Sequence, residues 1–194
     1  METIYGKHYE GLIAFKDSLM DKIGTMEQSL EAVWQTNIID HTMARIKSDE
    51  SVLSKCADKG LEPDPDVIVS AIHDAVGIRI VCTFLDDIFK VRDAIRGFQD
   101  VKVVEEKDYI SNAKPNGYRS YHMIIQNPEG YFAEIQIRTI SMDTWAALEH
   151  DIKYKKDIKV NKELITEELK RCADELASTD ISMQTIRNMI YGQI

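Results

Sequence analysis

Two carboxylates, Asp74 and Glu134, stand in parts of the sequence that are otherwise apolar. Asp74 comes just before the run GIRIVCTF at 77–84, and Glu134 lies inside the run YFAEIQIRT at 131–139. Proteins commonly hold Mg²⁺ with one or two carboxylates that are completed by the phosphates of a substrate. Either acid alone is more often a surface or capping group, so its interpretation depends on the cations around it.

Basic and hydroxyl side chains are concentrated between residues 41 and 60, where they include Arg45, Lys47, Ser51 and Lys55. Ser48 is suited to be the N-cap of a helix, and the first turn of a helix offers unpaired N–H groups to a phosphate. The segment is therefore either a phosphate-binding helix start or a solvated helix face.

A second basic stretch, KDYISNAKPNGYRSYH at 107–122, brings Lys114, Tyr118 and His122 together around a Pro-Asn-Gly turn. These side chains suit a phosphorylated ring compound, although solvated loops have a similar composition. Arg79 lies midway along an apolar run, where a charge needs a partner or a ligand. Two carboxylates among so many cations indicate phosphoryl-type transfer, which depends on positioning and charge neutralisation.

Other chemistries have less support in the sequence. It contains no Walker loop, no GxSxG and no GxGxxG, so P-loop kinases, α/β-hydrolases and Rossmann enzymes are not indicated. His73 and Asp74 form a doublet typical of metal phosphohydrolases, but the other histidines are not spaced to supply the remaining ligands.

The elements that must position these groups follow from the spacing of apolar residues. In chain order the pattern predicts one or two helices over 9–34 divided at Gly24, a helix from Ser48, a short helix over 66–73, a strand over 77–84, a helix over 86–98, a strand beginning at 101–104, strands over 118–126 and 131–139 joined by a turn, a helix over 141–156, and a helix over 162–190 with a break near Ser178. Residues expected to face the core include Val33, Leu148, Ile152, Ile186 and Met189. This order predicts an α+β fold, with a single mixed β-sheet flanked by helices.

Composition restricts the substrates, partners and cellular location that are expected of the protein. The chain has 194 residues and a net charge of -9, so an anionic substrate must be captured by a local basic cluster, and nucleic acid is not an expected partner. No apolar run reaches membrane-spanning length, and three widely spaced cysteines suggest reduced thiols. We expect a cytoplasmic protein.

Four sequence blocks, taken in order, resemble RelA/SpoT-type (p)ppGpp synthetases, in particular the small alarmone synthetases. The blocks are RIKSDESVLSK at 45–55, HDAVGIRIVC at 73–82, KDYISNAKPNGYRSYH at 107–122 and EIQIRTISMDTWAALEH at 134–150, with Tyr154-Lys155 after them. The resemblance implies a nucleotidyltransferase-like fold. It also implies Mg²⁺-dependent transfer of the β,γ-pyrophosphate of ATP to the 3′-hydroxyl of GTP or GDP.

The resemblance further implies roles for individual residues. Arg45 and Arg79 are expected at the adenine of ATP, and Lys47, Ser51 and Lys55 at its phosphates. Asp74 and Glu134 are expected to bind Mg²⁺, with Glu134 also the candidate base. The residues expected on the GTP or GDP side are Lys114, Tyr118, His122, Gln136 and Asp143. Strand alternation is expected to turn Tyr109 and Arg119 away from the site.

The length of the chain and the lack of a dividing linker predict one domain over 1–194. It is made of N-terminal helices at 1–40, a synthetase core at 41–156 and a C-terminal helix at 157–194. We expect a synthetase without a hydrolase or ribosome-binding region, and a homo-oligomer, with a tetramer favoured. The sequence departs from the family pattern at Asp58, where a basic residue is expected, although Lys59 is available to replace it. His41 and Met43 do not match the allosteric pattern of tetrameric members, so no effector site is inferred.

Two alternatives stay open at this stage. The first is a toxic relative that modifies adenine nucleotides or the 3′ end of tRNA, since Tyr118 would stack on any base. The second is a catalytically silent nucleotide-binding regulator, against which the two intact carboxylates argue.

Overall fold

The computed structural model describes residues 3–154 and 162–192. In chain order its elements are a short 3-10 helix Gly6–His8, α1 Tyr9–Trp34, β1 Ile39–Ile46, α2 Asp49–Lys59, α3 Pro65–Ala71, β2 Val76–Cys82, α4 Leu85–Arg96, β3 Lys102–Asp108, β4 Tyr121–Gln126, β5 Phe132–Thr139, α5 Ile140–Tyr154 and α6 Lys162–Ile190. Within the described residues, no helix is both long and apolar enough to cross a membrane.

The five strands form one mixed sheet in the order β1-β2-β5-β4-β3. β2 and β5 are parallel, whereas the other three neighbouring pairs are antiparallel. The predicted α+β class with a single mixed sheet flanked by helices is therefore confirmed.

The sheet has one apolar and one polar face, because side chains alternate along a strand. Ile78, Ile80, Ile135 and Ile137 are almost fully buried in the core, which also contains the inner faces of α1 and α4. The residues between them on β2 and β5 carry the polar groups of the candidate site. The sheet therefore uses one face for stability and keeps the other for chemistry.

Several predicted elements need correction. β1 was not predicted as a strand, because its exposed, mixed sequence IDHTMARI lies at the edge of the sheet. Of the one or two helices that the N-terminal pattern allowed, one forms, since a single glycine is tolerated within a long helix; Val33, expected in the core, is exposed. β4 begins at Tyr121, not at residue 118.

The last two helices also differ from the prediction. Leu148 and Ile152 are exposed, and α6 continues without a break through Ser178. Ile186 and Met189 are exposed because the end of α6 turns polar residues inward: Arg187 donates to the fully buried Asp87 at the start of α4 (3.0 Å). Lys155 and the boundary predicted at 156/157 lie outside the described residues.

Candidate active site

The polar face of the sheet forms one wall of a cavity of about 160 Å³, lined by Met43, Ala44, Arg45, Lys47, Asp74, Gly77, Ile78, Arg79, Glu134 and Gln136. The strand register explains why residues distant in sequence meet here. Gly77 pairs with Arg45 on one side and with Glu134 on the other, and Arg79 pairs with Gln136 in the next row. The polar face predicted for β5 thus lines a cleft.

A lysine pair holds Asp74 beside this cavity. Lys47 and Lys55 contact its Oδ2 at 2.6 and 2.8 Å. Burial would raise the pKa of Asp74, but hydrogen bonds from the two lysines outweigh it, so the pKa lies below its ordinary value. Asp74 is therefore ionised at neutral pH.

Lys47 lies just before α2 and Lys55 within it, and the start of this helix follows the predicted capping chemistry. Ser48 is the N-cap and accepts from the backbone N–H of Ser51 at 3.4 Å, and its hydroxyl donates to the Ser51 hydroxyl at 2.9 Å. Further along the helix, Lys59 donates to the carbonyl of Ala71 at 3.3 Å.

Glu134 is the second ionised carboxylate of the site. Its Oε1 lies 3.2 Å from Nδ1 of His122, and its Oε2 accepts from Gln136 at 2.8 Å. Burial would raise the pKa of Glu134, and the nearby charge of Asp74 acts in the same direction. The contacts with His122 and Gln136 nevertheless bring the pKa below its ordinary value. Two negative carboxylates therefore face a common region.

The oxygen atom of Asp74 that the two lysines leave unused suits a divalent cation. Oδ1 of Asp74 is buried and has no hydrogen-bond partner, which is costly unless a donor or a cation reaches it. Within residues 3–154 and 162–192, no group of three or more acidic, histidine or cysteine side chains is arranged to hold a metal. The two carboxylates therefore fit an ion that is completed by other ligands, such as phosphates.

Arg138 organises the other end of the site and was not among the predicted residues. It shares a face of β5 with Glu134 and Gln136, yet only 4% of its surface is exposed. It donates to the Tyr118 hydroxyl at 2.6 Å, to Oε1 of Gln136 at 2.7 Å and to Asp143 at 3.2 Å. Strand alternation carried the signal for this residue, because Arg138 follows the two polar residues at the same spacing.

The stretch around Tyr118 is an aromatic and cationic cluster beside β4. The Tyr118 hydroxyl lies 2.8 Å from Nε2 of His122, and the Lys114 ammonium is 5.1 Å from the centre of the Tyr118 ring. Tyr109 joins the same cluster, 5.2 Å from the His122 ring and 4.6 Å from Lys114. The expectation that Tyr109 turns away is wrong, because β3 ends at Asp108 and alternation does not extend to Tyr109.

Asp143, in the first turn of α5, connects the two ends of the site. Its Oδ1 lies 3.2 Å from Arg79 and 3.2 Å from Arg138. All twelve predicted residues are thus accounted for. Ten join the cavity or a chain of contacts leading from it, Lys55 reaches it through Asp74, and Ser51 lies at the start of α2.

The family model for a region found in RelA/SpoT proteins matches residues 44–159 of this chain. The match spans all four sequence blocks and every one of these site residues. The chain belongs to the RelA/SpoT family.

Relatives extend this similarity over nearly the whole chain. The GTP pyrophosphokinase YwaC of Bacillus subtilis is 39% identical over 98% of this chain and 95% of its own length. The crystal structure of small alarmone synthetase 2 from the same organism matches with a TM-score of 0.81 and 39% identity, over 94% of this chain and all of that one. Small alarmone synthetase 1 of Bacillus subtilis, bound to its product pppGpp, matches with a TM-score of 0.82 and 30% identity, over 93% of this chain and 94% of that one.

Proposed function

We propose that this RelA/SpoT family member is a GTP/GDP pyrophosphokinase. It transfers the β,γ-pyrophosphate of ATP to the 3′-hydroxyl of GTP or GDP, giving AMP and the alarmone pppGpp or ppGpp. The observation that carries the proposal is the pair of ionised carboxylates, Asp74 and Glu134, between a lysine cluster and an aromatic cluster. That arrangement suits a reaction between two phosphorylated substrates.

The donor side comprises Arg45, Lys47, Ser51, Lys55, Asp74 and Arg79. In this proposal Arg45 and Arg79, on neighbouring strands, contact the adenine of ATP, because guanidinium planes stack well on rings. Lys47, Lys55 and the start of α2 hold the phosphates. Both lysines contact Asp74 in the structure, so they lie where they would neutralise phosphate charge beside a bound metal.

Asp74 and Glu134 are the residues that would hold Mg²⁺, which supplies neutralisation of the charge that develops on the transferred phosphates. The buried, unpartnered Oδ1 of Asp74 supports this assignment.

The acceptor side comprises Lys114, Tyr118, His122, Gln136 and Asp143. Tyr118 is proposed to stack on guanine, and Lys114 and His122 to contact phosphates. Glu134 accepts the proton of the 3′-hydroxyl, which is a poor nucleophile until that proton is removed. The 3′-oxygen then bonds to the β-phosphorus of ATP, the bond from that phosphorus to the α,β-bridging oxygen breaks, and AMP leaves.

Relatives named as GTP pyrophosphokinases favour a guanosine nucleotide as the acceptor over an adenine nucleotide or tRNA. We also infer a cytoplasmic homo-oligomer, with a tetramer favoured. Exposed apolar side chains along α6 support association, namely Ile181, Met183, Ile186, Met189 and Ile190, since large exposed apolar patches commonly mark interfaces.

The decisive experiment supplies the purified protein with Mg²⁺, ATP labelled at the β-phosphate, and one acceptor at a time. We expect label on GTP and GDP, and omission of the divalent cation should stop transfer. Label only on adenine nucleotides or tRNA would replace the proposed acceptor, and no transfer to any acceptor would favour a silent regulator. Light scattering on the same sample tests the oligomeric state.

A further inference from the structure

The segment Lys114–Arg119, here called the acceptor loop, packs directly against the backbone of α6. Gly117 has a φ of +93°, and a Cβ built there would lie 2.6 Å from Cβ of Ala173 and 3.1 Å from Cα of Lys170. Neither the conformation nor the space suits any other residue. The chain that carries Lys114 and Tyr118 therefore rests on the surface of a helix more than 50 positions later in the sequence.

Arg119 joins the same two elements by hydrogen bonds. Its Nη2 donates to Oδ1 of Asp174 at 2.9 Å, and its Nη1 donates to the carbonyls of Gly117 at 3.2 Å and Ala173 at 3.5 Å. The side chain thus turns away from the cavity, as the sequence predicted, and donates its hydrogen bonds to the acceptor loop and to α6. Because a guanidinium presents its donors in a fixed planar fork, this set of acceptors defines the position of the loop.

α6 is fixed to the rest of the fold without help from the acceptor loop. The Trp145 indole donates to the carbonyl of Leu169 at 2.8 Å, and Thr139 donates to Asp180 at 2.6 Å. Further along, the fully buried Asp87 accepts from Arg187. These anchors lie on both sides of Asp174 in the sequence, so α6 is a rigid support against which the loop is placed.

A contact on the opposite side completes the arrangement. The Asn116 side chain donates to Glu149 of α5 at 3.1 Å and accepts from the backbone N–H of Tyr118 at 3.2 Å. The loop is consequently held between α5 and α6, and Tyr118 lies directly between the residues that make these two attachments.

We propose that Arg119 and Asp174 are positioning residues for the acceptor nucleotide, and that α6 holds the acceptor loop in its binding conformation. The inference rests on the proposed function. Loss of the pair lowers the fraction of molecules whose Tyr118 is correctly placed, and the apparent affinity for the acceptor falls by the same fraction. Binding of ATP on the donor side is unaffected.

The test compares Arg119→Ala, Asp174→Ala and the double variant with the wild-type protein. We expect each single variant to raise the KM for GTP about two- to fivefold, the range for a partly exposed ion pair, with the KM for ATP unchanged. The double variant should resemble the single ones, because both remove one interaction. Amide hydrogen exchange over residues 114–119 should accelerate in all three, which reports the loop without any catalysis.

The matched control is Arg171→Ala, since Arg171 is exposed on the same helix and pairs with Glu168 and Glu175 of that helix. Lys170→Ala separately removes the second partner of Asp174. Neither control should change the KM for GTP or the exchange of the loop.

Gly117→Ala provides an independent test, because it forces the loop away from α6 sterically. We expect an increase in the KM for GTP of about tenfold or more, by the same reduction in the competent fraction. An unchanged KM for GTP in the Arg119 and Asp174 variants, or equal increases for ATP and GTP, would overturn the inference. The wild-type assay is read first, since wild-type protein that transfers to neither GTP nor GDP would refute the proposed function itself.

Discussion

The two sides of the candidate site are built in different ways. The donor side comes from residues 45–79, where adjacent strands fix Arg45 and Arg79 by backbone pairing. Lys47 lies just before the capped helix α2, and Lys55 lies within it. Tyr118 and Lys114 of the acceptor side lie on a turn outside the sheet. They depend on side chains that come later in the chain, above all Arg138 and Asp174.

This difference shows which part of the site the sheet determines by itself. Strand register positions a residue whatever its neighbours do, as long as the strands pair. A turn has no such register and needs specific contacts, which here come from a buried arginine and a distant helix. We therefore expect the donor side to tolerate changes in α6, and the acceptor side to be sensitive to them.

Glu134 lies between the two sides, so replacing its carboxylate by a neutral group should slow transfer strongly while both sides remain formed. We expect Glu134→Gln to lower kcat by about 100- to 10,000-fold, the range for loss of a general base. Initial rates give kcat, and equilibrium dialysis with ATP should show binding largely retained. Glu129→Gln, in the exposed hairpin turn, is the control. Near-normal turnover of Glu134→Gln would mean that another group removes the proton.

Substitution of Arg138 should affect the acceptor side more than the donor side, because Arg138 contacts three acceptor-side residues. Arg138→Met should leave Asp143, Gln136 and the Tyr118 hydroxyl without this donor and should reduce the free energy of unfolding by about 3 kcal/mol. It should also raise the KM for GTP more than the KM for ATP. Denaturant unfolding and steady-state kinetics measure the two effects, with Arg171→Ala as the surface control. Equal increases in both KM values would show that Arg138 supports the whole site.

The same contrast explains how much the sequence could predict. The pattern of β2 and β5 identified a polar face, and Ser48 identified the start of α2, because alternation and capping are local properties. The edge strand β1 was missed because its exposed face carries the apolar Met43 and its half-buried face carries Thr42, so the sequence shows no clear alternation of apolar and polar residues. The prediction of which face of α6 points inward near its end was wrong, because the inward face is polar. Burial of Arg187 on that face depends on the distant carboxylate of Asp87.

For individual site residues, too, local patterns could be predicted and contacts with distant residues could not. Asp74, Arg79 and Glu134 line one cavity, because β2 and β5 pair side by side and Asp74 lies just before β2. The predicted orientation of Tyr109 was wrong, because β3 ends just before this residue. The role of Arg119 depends on α6, and no local pattern connects residue 119 with residue 174.

Tyr118 allows the stacking face to be separated from the hydroxyl. Tyr118→Ala should raise the KM for GTP by about tenfold or more, because stacking of a base on an aromatic ring contributes about 1–3 kcal/mol. Tyr118→Phe keeps the ring and removes the hydrogen bonds of the hydroxyl with His122 and Arg138, so its effect should be smaller. Steady-state kinetics with each substrate varied in turn should show a larger increase in the KM for GTP in Tyr118→Ala than in Tyr118→Phe. If Phe and Ala had the same effect, the hydroxyl network rather than stacking would determine acceptor binding.

The smallest effect is expected at Tyr5, a long-range support of the donor side that corresponds to Arg119 on the acceptor side. Its hydroxyl donates to the carbonyl of Lys47 at 2.8 Å, and the side chain is almost fully buried. Burial, followed by the charges of Asp49 and Asp74, raises the pKa of Tyr5, so the hydroxyl stays protonated and able to donate. Tyr5→Phe should cost about 0.5–1.5 kcal/mol in the free energy of unfolding and should raise the KM for ATP slightly, with the KM for GTP unchanged. Tyr191→Phe, at an exposed tyrosine after the end of α6, is the control. An effect on GTP instead of ATP would show that the two sides are not supported separately.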